Sequence, residues 1–435
     1  MTLAQRFSNR RLVVDALALT FGIGAWIGVN GIFVQLPLLV ENAPEEWHLP
    51  VYMTLVVQLA NIGPILYSFY IKYMSRAHDH LLIYILLGGG TIGMICLIFV
   101  HENTSYMFGK ESSTALLSLM FVAALVGCTS SVLFMPYMRN YREIYLVSYL
   151  VGEGLSGFLP SIIALIQGVG GNAQCVKTAN STADNPTCTE YVPDPRFSTS
   201  VFFTLLSIIL FLSFSAFIAL NTLPISLSER VKPPGSTEAL PTDPDAAPTF
   251  KFNSGWKMPR RTYIYLLVMM AVICALGNAV LSGIQPYACL PYGNVTYHLA
   301  VTLGAIAIPL AMCIGFVVKN PRVDVLSLLT AGILALAGFV SYLAVKSPAP
   351  PMQHMWIGEF VVVVSWIIVS GLIGFVKLAI TTLFRPDPGR GLFFTGVATQ
   401  VGSLSGAVLM YCLVTYADIF EKYNPCDDCT DVGSS

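Results

Sequence analysis

Long apolar runs separated by short polar segments dominate the chain. Eleven of these runs are long enough to cross the hydrocarbon of a bilayer as helices, which takes about 20 residues each. They lie at about 13–35, 50–71, 80–100, 114–137, 144–168, 198–221, 262–284, 297–318, 323–345, 355–376 and 392–416. The pattern predicts an all-α polytopic membrane protein with eleven transmembrane helices.

One long polar segment interrupts this pattern at about 222–260, and it is rich in Pro, Ser, Thr and Asp. Such a composition buries too little apolar surface to fold, so we predict a flexible cytoplasmic linker. The linker separates a six-helix bundle, 13–221, from a five-helix bundle, 261–416, and tails at 1–12 and 417–435 flank them. Two bundles around a site near the bilayer midplane are the usual plan of a secondary transporter.

The composition supports a membrane protein and argues against an enzyme. Hydrophobic residues make up 55% of the 435-residue chain and charged residues only 11%, whereas soluble proteins average about 25% charged residues. The chain lacks a P-loop, a dinucleotide-binding fingerprint and an HExxH motif. We therefore expect a lipid bilayer around the chain, and no catalytic residues, cofactor, metal or nucleic acid.

Positive charges predict the orientation of the chain. If the N-terminus is cytoplasmic, 18 of the 23 lysines and arginines fall in cytoplasmic segments and 5 fall outside. Cytoplasmic segments are enriched in Lys and Arg, so we predict the N-terminus inside and, with eleven spans, the C-terminus outside. The glycosylation motifs at Asn103, Asn180 and Asn294 all lie in predicted outer segments. Cys175 and Cys188 share one such segment, where we predict a disulfide.

The most informative polar residue is Glu153, near the middle of the fifth span. A carboxylate at mid-membrane costs about 2.5–3.5 kcal/mol on insertion scales, so acids there usually face a bundle interior or a water-filled cavity. One interpretation is a hydrogen bond that only fixes helix packing. We favour the other interpretation, a functional site, because ionisable residues inside membranes usually have functional roles.

Amides, hydroxyls and aromatic rings in other spans extend this hypothesis to a substrate cavity. For any single Ser or Thr, a hydrogen bond between helices worth about 0.6 kcal/mol is the simpler explanation. Several amides together would need many partners, and a polar ligand would share that demand. The predicted substrate-binding residues are Trp26, Asn30, Gln35, Gln58, Asn61, Thr129, Ser130, Glu153, Asn278, Ser282, Tyr287 and Gln400.

Cations are scarce in the spans. Lys377 lies close to the inner end of the tenth span, and we expect its side chain to snorkel to the cytoplasmic surface. A cavity without Arg or Lys suits a phosphate or carboxylate poorly. The residues therefore favour a neutral, partly aromatic substrate that is rich in hydrogen-bonding groups.

Six motifs resemble the riboflavin transporters of the animal solute carrier family 52, and the similarity runs through nearly all spans in the same order. The motifs are NGIFVQLPLLV (30–40), VVQLANIGP (56–64), CTSSVLFMPYM (128–138), VGEGLSGFLP (151–160), QPYACLPYG followed by YHLA (285–300) and GVATQVGSLSGAVLM (396–410). The resemblance implies an eleven-helix carrier of the plasma membrane. Its 6 + 5 arrangement would be similar to equilibrative nucleoside transporters and the major facilitator architecture.

The resemblance also implies a substrate, riboflavin, taken up by alternating access without sodium coupling. Riboflavin is uncharged and has a flat ring with a uracil-like edge, which amide side chains match as they match an adenine edge. Trp26 and Tyr287 could stack on the ring. Two alternatives stay open: a carrier of another flat neutral metabolite, such as a nucleoside or nucleobase, and a cell-surface receptor. A receptor would not need amides buried in several helices.

Overall fold

The structure is a computed structural model of the chain. It describes residues 10–45, 49–73, 78–107, 109–168, 174–177, 188–191, 194–231, 258–318, 321–353, 355–387, 391–417, 419–421 and 423. Most of the predicted linker and of the C-terminal tail lies outside these residues. So do the glycosylation motif residue Asn180 and the side chains of Cys175, Cys188 and Asn294.

Ten helices in the described part of the chain are long and apolar enough to cross a membrane, which confirms the prediction of a helical polytopic membrane protein. The pair Leu12–Ile23 and Ile27–Val34, bent by 50°, makes an eleventh span if the two helices cross the membrane together. The bend lies just before Trp26, whose backbone is not helical. Ser213 Oγ donates a hydrogen bond to the carbonyl oxygen of Phe21 at 3.1 Å, which satisfies an acceptor at the end of the first helix.

The first six spans and their connections contain ten helices and two antiparallel hairpins. The helices are α1 Leu12–Ile23, α2 Ile27–Val34, α3 Leu36–Asn42, α4 Leu49–Leu59, α5 Ile62–Tyr73, α6 Asp79–Val100, α7 Thr114–Tyr137, α8 Glu143–Gln167, α9 Thr199–Thr222 and α10 Pro224–Leu227. The hairpins pair β1 Ser105–Met107 with β2 Lys110–Ser112, and β3 Gln174–Lys177 with β4 Cys188–Tyr191.

The last five spans contain six helices. They are α11 Arg260–Ala275, α12 Leu281–Cys289, α13 Asn294–Cys313, α14 Val323–Val345, α15 Trp356–Phe384 and α16 Gly391–Thr415. A π-helical turn, Leu276–Val280, joins α11 to α12 in one span.

The alternating spans give the protein two ends. At one end, which we call the linker end, α10 leads towards the segment 232–257 and α11 begins after it. At the other, the hairpin end, lie the two β-hairpins. Asn103 is exposed at the hairpin end, beside β1. We predict that the linker end is cytoplasmic, because it carries most of the positive charge.

Two hydrophobic clusters underlie the two bundles. One is built almost wholly from residues of 14–220, and the other from residues of 266–410. In the first cluster, the ring of Phe21 packs on those of Phe134, Tyr149 and Phe217, with centroid distances of 5.1, 5.3 and 4.8 Å. Such a core holds α1, α7, α8 and α9 together.

Glycines let α1 and α8 pack so closely that their backbones are in contact. A Cβ added to Gly22 would collide with the carbonyl oxygen of Tyr149, and one added to Gly152 would collide with the carbonyl oxygen of Leu19. Small residues at helix interfaces of membrane proteins allow this close packing, which replaces the hydrophobic driving force that is absent in lipid. The two helices therefore form one tightly packed unit.

Two seams join the bundles to each other. Along one seam, Gly154 of α8 faces Ile308 and Met312 of α13. Along the other, a Cβ added to Gly396 of α16 would collide with the backbone of Ser131 in α7. The candidate site lies between these seams.

Candidate functional site

The centre of the site is an ion pair between the bundles. Lys377 Nζ of α15 donates a hydrogen bond to Glu153 Oε1 of α8 at 2.6 Å. The two side chains are 18% and 8% exposed, respectively. A charge in low dielectric needs a counter-charge to offset its desolvation, and each residue provides it for the other.

This pair corrects one prediction from the sequence. Lys377 does not snorkel to a membrane surface, because its ammonium group turns inward to Glu153. The interior between the bundles is therefore not free of cations. Lys377 and Glu153 carry opposite charges, so the pair as a whole is neutral.

Trp26 lies at the bend of the first span and packs against α7. A Cβ added to Gly127 would lie 2.8 Å from Trp26 Cε3, so the glycine provides the space that the indole occupies. The sequence predicted Trp26 as an aromatic surface for a ligand, and its side chain remains partly exposed.

Asn30 lies close to the ion pair. Its Nδ2 is the nearest atom to the position of a Cβ on Gly157, at 3.5 Å. Gly157 and Glu153 are four residues apart on α8 and so share one helix face. Asn30 therefore points to this face, about one helical turn from Glu153 towards the hairpin end, and its side chain is partly exposed.

The side chain of Gln400 forms hydrogen bonds between the two bundles. Its Nε2 donates to Ser131 Oγ at 3.0 Å and to the carbonyl oxygen of Cys128 at 3.2 Å. Ser130 lies on the same stretch of α7, and its hydroxyl donates to the carbonyl oxygen of Gly127 at 2.7 Å. These contacts place α16 against α7 at the level of the site.

Three other predicted residues form a polar group inside the six-helix bundle. Asn61 Nδ2 donates to Gln58 Oε1 at 3.2 Å, where α4 ends and α5 begins. Thr129 Oγ is buried against Gly63 and has no hydrogen-bond partner among the described residues. This group adjoins Ser130 but contains no charge.

The remaining predicted residues form no hydrogen bond to the ion pair among the described residues. Asn278 Nδ2 donates to Ser403 Oγ at 2.9 Å, and Ser282 donates within its own span. Towards the hairpin end, the ring of Tyr287 packs on that of Phe420 with a centroid distance of 5.2 Å.

Gln35 is also outside the central group. Its Nε2 donates to Gln167 Oε1 at 2.6 Å, and Gln167 in turn donates to the carbonyl oxygen of Phe197 at 2.9 Å. Both glutamines are fully buried. The structure thus brings Asn30 to the helix face that carries Glu153, and it adds Lys377, which the sequence did not place in the site.

Tyr149 is a second residue that the sequence missed. It lies one helical turn before Glu153 on α8, is fully buried, and faces both Glu153 and Ser130. Its aromatic neighbours suggest packing alone, so nothing in the local sequence distinguishes its hydroxyl. Only the position of Glu153 on the same helix face could have indicated it.

The chain is similar to known proteins along almost its whole length. The family model described as "Solute carrier family 52, riboflavin transporter" matches residues 10–422. The chain is 35% identical to riboflavin transporter member 3-A of Danio rerio, over 96% of this chain and 98% of that protein. It is 34% identical to member 3 of Homo sapiens, over 95% and 98%.

Among solved structures, the fold is similar to FucP, a major facilitator superfamily transporter in the outward conformation. The TM-score is 0.54 with 14% sequence identity, over 93% of this chain and 91% of that chain. A bacterial homologue of ferroportin matches with a TM-score of 0.52 and 12% identity, over 92% and 91%.

The apolar helices and the similar solved structures show a multi-pass membrane protein with the fold of major facilitator superfamily transporters. Family model and relatives cover almost the whole chain. The chain belongs to solute carrier family 52, the riboflavin transporters. These findings point to a transporter rather than an enzyme.

Proposed function

We propose that this protein takes up riboflavin across the plasma membrane by alternating access, without sodium coupling. Family membership supports the substrate, and the Glu153–Lys377 pair is the observation that carries the mechanism. It joins α8 of one bundle to α15 of the other at the centre of the protein. A site made from both bundles changes shape when they rock against each other.

The composition of the site supports a neutral substrate. Because Glu153 neutralises Lys377, the pair offers no spare charge to a phosphate group. A phosphorylated flavin would bring unpaired negative charge into a poorly hydrated space, which is costly. We expect lumiflavin, which keeps the ring, to compete with riboflavin, and FAD and ribose to compete poorly.

Trp26 and Asn30 complete the substrate site in this proposal. The indole of Trp26 supplies an aromatic face for stacking, and Asn30 supplies an amide that can donate and accept. Gln400, which links the bundles, and Gln35, which bonds to Gln167, then have structural roles. The other predicted residues stay candidates for the ribityl chain.

Uptake of labelled riboflavin into proteoliposomes that contain the purified protein tests the proposal. We expect uptake that saturates, that unlabelled lumiflavin inhibits and that is unchanged when choline replaces sodium. Liposomes without protein are the control. Correctly inserted protein that moves no riboflavin above this control would refute the proposed function, and dependence on sodium would refute the uncoupled mechanism.

A further inference from the structure

The Glu153–Lys377 pair uses only part of its capacity for hydrogen bonds. An ammonium group has three N–H donors, and a carboxylate has about four acceptor positions. Among the described residues the pair forms one hydrogen bond, from Lys377 Nζ to Glu153 Oε1. Glu153 Oε2 accepts none from them and is not among their buried oxygens without a partner. This oxygen therefore keeps some exposed surface.

The ion pair and the neighbouring Asn30 are only partly buried. Lys377 keeps 18% of its side chain exposed, although it is paired. Gly157, one turn beyond Glu153, has no side chain to fill the space in front of α8, and only Asn30 approaches it within 4 Å. The side-chain amide of Asn30 has no hydrogen bond to another described residue, and its atoms are not among the buried unpartnered ones. The amide of Asn30 and the ion pair thus lie at the same face of α8, and both have hydrogen-bonding groups without a protein partner among the described residues.

A carboxylate oxygen beside an ammonium group presents an acceptor next to a donor. The complementary pattern is a donor next to an acceptor, which an imide has at its N–H and C=O groups. The isoalloxazine ring of riboflavin contains such a cyclic imide, with N3–H between two carbonyl groups. Hydrogen bonds to ionised groups are about twice as strong as neutral ones, so a neutral ring gains two strong bonds without adding charge.

We propose that Glu153 and Lys377 together read the imide edge of the riboflavin ring. Glu153 Oε2 accepts the hydrogen of N3–H, and Lys377 Nζ donates to a neighbouring ring carbonyl oxygen. This inference rests on the proposed function, and it adds the part of the substrate that is recognised. It makes Lys377 a specificity-determining residue and defines the substrate class as flat rings with an unsubstituted cyclic imide.

Riboflavin analogues test the inference on the unmodified protein. In 3-methylriboflavin a methyl group replaces the N3 hydrogen, so Glu153 Oε2 loses its donor. We expect this analogue to compete with labelled riboflavin about tenfold more weakly or worse, since a hydrogen bond to a charged group is lost. In 5-deazariboflavin the imide edge is intact, and it should compete as well as riboflavin within about twofold.

This experiment distinguishes failure of the proposed function from failure of the imide inference. If the inserted protein moves no riboflavin, the proposed function is wrong. If it moves riboflavin but 3-methylriboflavin competes as well as 5-deazariboflavin, the function stands and the imide inference is wrong.

Substitution of Glu153 tests the residue itself. In Glu153→Gln the amide oxygen pairs with Lys377 and the amide NH2 faces the ring, so a donor meets the N3–H donor. We expect the tenfold preference for 5-deazariboflavin over 3-methylriboflavin to fall to about one. The matched control is Glu45→Gln, the same chemical change at a carboxylate held by Ser112 and Ser113 near the hairpin end. It should keep the tenfold preference.

A second variant tests whether Lys377 and Glu153 recognise the imide edge or only neutralise each other's charge. Lys377→Arg keeps the positive charge, but its planar guanidinium binds both carboxylate oxygens and so occupies Glu153 Oε2. We expect this variant to reach the membrane and to lose the preference. A purely structural pair would tolerate the change, and a retained tenfold preference in either variant would overturn the inference. If neither variant folds, the analogue series on the wild-type protein decides.

Discussion

Gln400 Nε2 of α16 lies 3.0 Å from Ser131 Oγ of α7, and this hydrogen bond crosses from one bundle to the other. The same nitrogen also reaches the carbonyl oxygen of Cys128 at 3.2 Å. Gln400 is buried, so water does not replace these bonds easily. The residue therefore holds one of the two seams closed at the level of the ion pair.

Removal of this amide should loosen the seam. We expect Gln400→Leu to lower thermal stability and riboflavin uptake, because it leaves the buried Ser131 hydroxyl oxygen without its donor, at a cost of about 1–3 kcal/mol. The measurement is the melting temperature of the purified protein together with uptake per molecule at the surface. Ser405→Ala is the control, since Ser405 donates only to Gly402 of its own helix. Equal effects of the two substitutions would contradict the prediction.

Gly152 should tolerate no side chain. A Cβ there collides with the carbonyl oxygen of Leu19, and backbone atoms cannot rotate away as side chains do. We expect Gly152→Ala to reduce the amount of folded protein sharply, since overpacking costs about 1–3 kcal/mol. Gly338→Ala is the matched control, because nothing lies within 4 Å of its added Cβ. Monodispersity in detergent chromatography is the readout, and a normal profile for Gly152→Ala would show that α1 and α8 can separate.

A guanidinium group holds the bundles together at the linker end. Arg385, which follows α15, donates to the carbonyl oxygen of Tyr141, which precedes α8. The Tyr141 hydroxyl donates to Leu220 at 2.8 Å and lies 3.4 Å from Arg230 Nε. Burial lowers the pKa of Arg385, yet Arg stays protonated at physiological pH.

Loss of Arg385 should open the linker end. We expect Arg385→Ala to increase the reaction of cysteines introduced at this end with a membrane-impermeant thiol reagent applied from the same side. Uptake should fall in parallel, because the balance between the two open states shifts. Arg142→Ala is the control, since Arg142 pairs with Glu229 within one bundle and is 44% exposed, where ion pairs contribute little. Unchanged labelling in Arg385→Ala would refute a role in closing this end.

Glu45 gives a pH-dependent contribution to stability. Burial alone would raise its pKa, but hydrogen bonds from the Ser112 hydroxyl and from the backbone and hydroxyl of Ser113 lower it below the usual value. A carboxyl with a lowered folded pKa stabilises the protein above its unfolded pKa, about 4.3, and loses that effect as the pH falls through the folded pKa. The melting temperature of Glu45→Gln should lie below that of the wild type at pH 7, and the two should converge below about pH 4. A difference that persists at low pH would contradict this.

Topology can be tested on intact cells. We expect Asn103, exposed at the hairpin end, to carry a glycan, and an antibody to the C-terminal tail to stain cells without permeabilisation. The glycan should disappear in Asn103→Gln, seen as a faster band that a deglycosylase no longer shifts. Staining of the C-terminal tail only after permeabilisation would contradict the predicted orientation.

The sequence predicted the number of spans and Glu153 because both follow from local hydropathy. An acid inside an apolar run is costly wherever the chain goes, so Glu153 stands out without a structure. Its partner could not be predicted in the same way, since Lys377 is 224 positions away and lies near the end of an apolar run. Because Lys377 is near that end, the sequence favoured a side chain that snorkels to the surface. In the structure Glu153 is buried next to α15, so an ion pair with Lys377 is the stable arrangement.

The other amides show a second limit of prediction from the sequence. Composition predicted that they avoid lipid, but their partners depend on the rotation of each helix. Gln35 meets Gln167, and Gln400 meets Ser131, so each satisfies much of its demand within the protein. Asn30 lies in the helix that follows the bend of the first span. No proline marks that bend, so hydropathy alone gave a straight helix.

The π turn Leu276–Val280 sets the angular phase of the half-span that follows it. Each residue of an α-helix advances the chain by about 100°, from 3.6 residues per turn, and a π turn inserts one residue into a turn. Gly283 faces Met410 of α16, so closely that an added Cβ would lie 2.8 Å from Met410 Cε. An α-helical turn of the same five residues would rotate α12 by about 100° and present a different face to α16, with no loss of hydrophobicity. The winding of this short segment, more than its composition, decides which side chains meet across that interface.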